Sequence, residues 1–440
     1  MIPGKPNSLY EIGYMLQGRK AVFLVGFIQF IHSFGLMLIY NIVFSDTAAQ
    51  LVGGFCTPPV LLGEAWYTSR WFYVLLLAVG MFPIIVKKEI DELEWLATSL
   101  GIAIVVFLLM CTILLIVPSF PATPPSIDEF LWPEVKLTTI QKVSTIMVAY
   151  AYQQNVFPIY SALKDKSIGG YAASSKRAFL FAICAYYIVA LLGIFLFGLN
   201  IKSSILLNFG DPEYFDPNTG KPYWESTIIQ ISFMIVLLAH IPFIFFPGKE
   251  GLCILVDEYQ RQSISNVLWH KLQSIQEFSE LTKHEAAPNP EIKLPLEIEF
   301  ENSKQTDPKA SMIDVKKSVV NALSIVPQNQ ANRLAYKDMK AEYYYLCVFG
   351  YYIVAIVVSI LVPDITVVFS FVSAFAVSAI GYWCPGFYYL AALEKFGQKI
   401  DREPRWICVA KTLAGIGFVN CALGLFSAIF SIVGGGGGGH

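Results

Sequence analysis

The residues most capable of chemistry lie in one short run, Tyr150, Tyr152, Gln153, Gln154 and Asn155, followed by Pro158. Three amide side chains and two phenols fall within six positions. Proline cannot donate a backbone hydrogen bond, and its ring disfavours helical geometry in the residue before it. A helix carrying this run is expected to break there and free backbone carbonyls and amides. Interrupted helices of this kind hold a carboxylate and a coupling ion through bare peptide dipoles. The plainer alternative is a proline kink whose amides bond to neighbouring helices. His32 and Ser33, with Gln29 and Asn41 near them, form a second polar set, and His240 stands alone in SFMIVLLAHIPFIFFPGKE. An imidazole can take and release a proton near neutrality, or serve as a hydrogen-bonded packing residue. Pro242 bends the chain beside it. Tyr351, Tyr352, Ser370, Ser373 and Ser378 read as packing positions.

These polar residues are set in an apolar chain. Hydrophobic residues make up 55% of the 440, and charged residues only 15%, against about 25% in soluble chains. Nine apolar stretches, 21–45, 71–86, 95–117, 138–158, 178–200, 226–247, 343–362, 365–391 and 406–433, hold only Lys142 and Lys411 of the 64 charges. Each has about the length a helix needs to cross a bilayer, and helices are required because lipid satisfies no bare backbone group. The expected fold class is therefore an all-α polytopic membrane protein. A net charge of −2 gives no basic footprint for nucleic acid. The eight cysteines include no CxxC pair, so neither a disulfide framework nor a zinc site is expected. No HExxH, GxSxG or P-loop occurs, so no enzyme and no cofactor or metal is expected.

Cytoplasmic loops retain Lys and Arg. Alternate short loops of this chain carry fourteen against five. That bias places the N-terminus in the cytoplasm and the C-terminus on the other side. The chain then divides into a cytoplasmic segment 1–20, six spans over 21–247, a cytoplasmic insert 248–340, three spans over 341–433 and a glycine-rich, scar-like tail 434–440. The insert holds twelve Lys/Arg and thirteen Asp/Glu. Its first part has helical apolar spacing and is expected to lie amphipathically on the membrane surface. The rest is expected to be disordered, either a linker or a dock for a protein partner.

Several segments resemble the amino acid/auxin permease family of eukaryotic transmembrane amino acid transporters. They are AYQQNVFPIYSALKDKS (151–167), HIPFIFFPGKE (240–250), GYWCPGFYYL (381–390) and the opening from Ser8 to Asp46. The resemblance implies a LeuT-like, APC-superfamily inverted-repeat bundle. It also implies that nine of the family's usual eleven helices are present, the first two being absent. In the family the broken first helix supplies much of the backbone that holds the substrate carboxylate and any sodium ion; here the first pair is expected either to lie outside these residues or to be lacking from the protein.

Implied function is secondary active transport of amino acids by alternating access. The substrate would contact Tyr150, Tyr152, Gln153, Gln154 and Asn155, opposite His32 and Ser33. Tyr152-Gln153 stands where many relatives have Cys-His, and His240 stands where sodium-coupled relatives have Thr or Ser. An imidazole is a poor sodium ligand, so protons are expected as the coupling ion, with His240 the candidate relay. The rival expectation is a degenerate permease acting as a structural membrane subunit or nutrient sensor. The plasma membrane and the endolysosomal or vacuolar membrane fit equally.

Overall fold

A computed structural model describes residues 8–56, 58–86, 93–126, 143, 145–150, 153, 156–163, 167–270, 272–273, 338–362, 365–397 and 403–434. Among them there is no strand. The helices are α1 (Leu9–Gln17), α2 (Arg19–Phe55), α3 (Arg70–Ile85), α4 (Leu93–Ile116), α5 (Val156–Ala162), α6 (Ile168–Phe197), α7 (Ile205–Phe209) and α8 (Trp224–Arg261). After the insert come α9 (Ala341–Leu361), α10 (Ile365–Val372), a π-helical stretch (Ser373–Trp383), α11 (Cys384–Phe396) and α12 (Pro404–Gly434).

Among the described residues, six helical rods are long and apolar enough to cross a membrane: α2, α6, α8, α9, α12 and the rod formed by α10, the π stretch and α11. Shorter apolar helices cover Arg70–Ile85 and Gly101–Ile116. Large apolar side chains such as Phe27, Leu180, Phe181, Tyr187 and Ile353 stand exposed on these rods. Such surface is untenable in water and is what lipid solvates. The protein is an integral membrane protein of the polytopic helical class.

Described helices cover the centres of the expected spans other than the fourth, of which only 143, 145–150, 153 and 156–158 are described, and the ends differ. The first span runs on from residue 45 to Phe55, and the sixth from residue 247 to Arg261. The extensions carry Asp46, Lys249, Asp257 and Glu258, all buried. Each charge has a partner that offsets its desolvation. Asp46 receives Arg70 Nε at 2.7 Å and Nη2 at 2.8 Å. Lys249 Nζ lies 3.7 Å from the centre of the Phe246 ring, a cation–π contact. Arg261 reaches Asp257, and Arg19 Nε reaches Glu258 at 2.9 Å. The start of the expected insert is thus a buried continuation of α8. The helix stops at Gln262, whose φ of 52° is left-handed, and residues 263–270 form a separate helical segment. The remainder of the expected 248–340 insert lies almost wholly outside the described residues.

α2 is the central post, packed against α3, α8, α9, α10 and the π stretch. It meets α1 at Gly18, whose φ of 74° suits a residue without Cβ. Ser8 caps α1 by accepting from the Glu11 amide at 3.2 Å. At the far end of α1, Lys395 of α11 donates to the Met15 carbonyl at 2.8 Å. α2 and α8 run antiparallel, since Gly26 faces Leu255, Ser33 faces Gly248 and Tyr40 lies near His240.

The π stretch is clamped from α12. Asn420 Nδ2 donates to the Ser373 carbonyl at 3.2 Å, to Ser373 Oγ at 3.1 Å and to Ser378 Oγ at 3.0 Å. Ser378 Oγ in turn donates to the Ser373 carbonyl at 2.9 Å. A π-helix has poorer geometry than an α-helix and recurs at functional sites, so these buried bonds hold an otherwise unfavourable backbone. Replacing Asn420 with Leu is expected to cost about 1–3 kcal/mol. It should also speed amide exchange over 373–383 selectively. Exchange by mass spectrometry on the full chain checks this, and unchanged rates in that stretch would count against the clamp.

Candidate functional site

Two residues of the polar run in the fourth expected span, Tyr150 and Gln153, lie outside α-helix. Residues 145–149 are helical, Tyr150 lies in a turn, Gln153 in a 3₁₀ turn, and α5 begins at Val156. Tyr152, Gln154 and Asn155 lie outside the described residues. A helix that stops leaves carbonyls without intrahelical partners. One of them, on Ala149, accepts from the Tyr186 hydroxyl of α6 at 3.2 Å. The stub is anchored from two sides: Val148 belongs to the main apolar core, and the Tyr150 ring stacks on Phe179 with centroids 6.2 Å apart. Tyr186 approaches Tyr150 edge-on at 5.5 Å.

Gln153 looks elsewhere. Its amide nitrogen and oxygen both lie 3.7 Å from the position a Cβ on Gly381 would take. The side chain therefore rests against the π stretch, which Asn420 holds in place. Gln153 Oε1 is buried and has no hydrogen-bond partner among the described residues. An orphaned buried acceptor costs about 1–3 kcal/mol, and a guest that donates a hydrogen bond removes that cost.

His32 and Ser33 are both buried in α2, at 3% and 0% exposure. Ser33 belongs to a second polar cluster, around Gly248. A Cβ built on Gly248 would stand 2.7 Å from Ser33 Cβ and 2.6 Å from Tyr351 Oη. Only glycine lets α2, α8 and α9 meet so closely. Ser33 Oγ and Tyr351 Oη are both buried without a partner. Tyr351 is fixed by stacking on Phe245 at 4.7 Å and by edge contact with Phe30 at 5.4 Å. The rigid ring thus holds its hydroxyl in an apolar setting beside Ser33.

His240, on α8, has aromatic neighbours: Tyr40 at 6.2 Å and Phe243 at 6.0 Å between ring centres. Gln29 bridges α1 and α8, accepting from Tyr10 Oη at 2.7 Å and donating to the Pro247 carbonyl at 3.4 Å. The amides and hydroxyls thus fall into two sets: Tyr150 and Gln153 at the helix break, and Ser33 with Tyr351 beside Gly248. α2 carries Ser33 and also packs on the π stretch that receives Gln153.

Two contributors escape a reading of the sequence as spans. Asn420 is the single side-chain amide of its span, which was the available signal. Tyr351 reads as packing by type, and its role emerges only from Gly248, 103 positions away in the chain.

A helical bundle with an interrupted span, orphaned buried acceptors and a clamped π stretch defines a membrane protein with polar groups set in an apolar interior. Residues 5–430 match the family described as transmembrane amino acid transporter protein. The chain belongs to that family. It is similar to amino acid transporter AVT6E of Arabidopsis thaliana, 23% identical over 260 residues, 58% of this chain and 52% of the relative. It is also similar to sodium-coupled neutral amino acid transporter 7 of Xenopus laevis, 22% identical over 271 residues, covering 58% and 57%. The chain spans about half the length of these relatives. No solved structure matches it.

The orphaned phenol gives a two-sided test. Replacing Tyr351 with Phe removes a buried hydroxyl that bonds to nothing, so the ligand-free protein is expected to keep or slightly raise its melting temperature. The extra stabilisation produced by a bound amino acid should shrink. A marked loss of stability in the ligand-free protein would show that the hydroxyl has a structural partner instead.

Proposed function

We propose that this chain is a secondary active transporter of neutral amino acids, working by alternating access in a LeuT-like inverted-repeat bundle and coupled to protons. The observation that carries the reading is Gln153 Oε1, buried and unpartnered at a helix break against the π stretch. Family membership supplies the substrate class, and the relatives named as amino acid transporters agree with it.

In this reading Tyr150, Tyr152, Gln153, Gln154 and Asn155 contact the substrate together with peptide groups freed by the break. His32 and Ser33 face it from α2, and Tyr351 joins them. A zwitterion suits such a site because dipoles aimed at its two charges replace water without burying net charge. Rocking of one part of the bundle against another alternates the exposure of the site. His240, bordered by Tyr40 and Phe243, takes the proton on one side and releases it on the other. Alternation requires small interfaces that can separate. Each end of α2 has one held by a charge pair: Arg19 with Glu258, and Arg70 with Asp46.

The test is uptake of radiolabelled neutral amino acids by purified protein in proteoliposomes. An inward proton gradient is expected to drive accumulation without sodium. Gln153→Ala should cut uptake roughly 10-fold or more, the loss of about one or two hydrogen bonds to a charged group. His240→Gln should keep exchange at equilibrium and lose accumulation. A sodium requirement would overturn proton coupling, and normal uptake by Gln153→Ala would remove the site. Saturable binding with no uptake would favour the sensor reading.

A further inference from the structure

The end of the bundle remote from α1 holds a second polar enclosure, which includes the Arg70–Asp46 pair but none of the residues proposed above to contact substrate. Two cavities adjoin there, of about 420 Å³ and 250 Å³, with Leu62 and Leu207 lining both. The loop before α3 and the short helix α7 form the cover, and the outer third of α2 forms the floor. The larger is bordered by Gln50, Lys202 and Asp211, and the smaller by Asp46, Thr47 and Arg70.

Three features of this enclosure point to one class of guest. First, its formal charges come in matched pairs. Lys202 pairs with Asp211, and Arg70 pairs with Asp46 in a two-bond fork at 2.7 and 2.8 Å. A guest with net charge would bring a charge that the balanced walls do not compensate, at a cost that rises with burial. A zwitterion places one charge against each sign and leaves none over. Second, Thr47 Oγ1 and Gln50 Oε1 are buried without hydrogen-bond partners. They sit one turn apart on α2, and Thr47, which lines the smaller cavity, is only 1% exposed. Threonine in a helix can turn its hydroxyl back onto the preceding turn, as Ser45 does toward the Asn41 carbonyl at 2.7 Å. Thr47 makes no such bond, and its buried oxygen has no partner among the described residues. Third, Ile42, Val43 and Ile365 give the smaller cavity apolar walls, so the guest carries an apolar part as well as a charged head.

We propose that these adjoining cavities are a second binding site, for one neutral zwitterionic amino acid with a small apolar side chain, distinct from the site at Gln153. The ammonium group would donate to Thr47 and approach Asp46 or Asp211, while the carboxylate would approach Arg70 or Lys202. The ligand class rests on the transporter reading above, whereas the site rests on the cavity, its charge balance and its open acceptors. Both ion pairs tie separate elements: Arg70 also donates through Nη1 to the Val362 carbonyl at 2.5 Å, joining α3 to the end of α9. A guest that competes for Arg70 would loosen that tie.

Equilibrium binding of radiolabelled L-alanine and L-leucine to the purified full chain tests this, read as moles bound per mole of protein. Two sites per chain are expected in the wild type. Leu62→Trp places a larger ring where the two cavities adjoin, from an exposed loop position, and should reduce the count to one. Thr47→Val, which keeps shape and removes the hydroxyl, should weaken that same site about tenfold. Melting temperatures near wild type confirm that both variants fold. Unlabelled L-lysine and L-glutamate should fail to displace ligand from the Leu62-sensitive site. A single site lost in Leu62→Trp and intact in Gln153→Ala would support this site and count against the one at Gln153. A single site lost in Gln153→Ala and untouched by Leu62→Trp would overturn the second site and leave the transporter reading standing. No saturable binding at all would overturn both.

Discussion

Hydrocarbon offers no hydrogen bond. Every backbone amide and carbonyl inside a bilayer must therefore find its partner within the protein, and a helix finds them by continuing. Stopping a helix there is costly unless something else takes over the released groups. In this protein the stop at Tyr150 is compensated from neighbouring elements. Tyr186 supplies a hydroxyl to the Ala149 carbonyl, Phe179 supports the Tyr150 ring, and Val148 stays in the core. The π stretch on the other side carries its own compensation in Asn420 and the two serines. Two irregular backbones thus face one another across Gly381 and Gln153. Each is braced by side chains from a third element.

The same constraint explains where charge appears. Asp46, Lys249, Asp257 and Glu258 are buried in the long helices, and each stands within reach of an opposite charge or an aromatic face. The pairs lie toward the ends of the rods. There water and headgroups soften the penalty for any moment when a pair separates. Charge pairs hold the bundle at each end of α2, and the close approach at Gly248 holds α2, α8 and α9 together.

Much of this was legible in the sequence, because apolar length and the requirement for helices leave little choice. The apolar helices, the scarcity of charge within the expected spans and the polar run before Pro158 follow from residue types alone. The family could be recognised from the motifs around Pro158, Pro242 and Pro385. The span ends were not legible in this way. A charged residue reads as a boundary by itself, and its partner is distant in sequence: Arg70 for Asp46, Arg19 for Glu258. The role of Tyr351 was hidden for the same reason, since it depends on Gly248 lacking a Cβ. The π stretch leaves no periodic trace at all. Its serines look like packing residues until Asn420 is placed beside them.

The central claim is that the break at Tyr150–Gln153 presents an open acceptor to a polar guest. A cryo-electron microscopy map of the full chain in a lipid nanodisc with saturating neutral amino acid tests it directly. The account predicts ligand density within hydrogen-bonding distance of the Gln153 amide, between the break and the π stretch at Gly381. A map in which Gln153 bonds to a neighbouring helix, with an unbroken α-helix through residues 145–160 and no density beside it, would contradict the account.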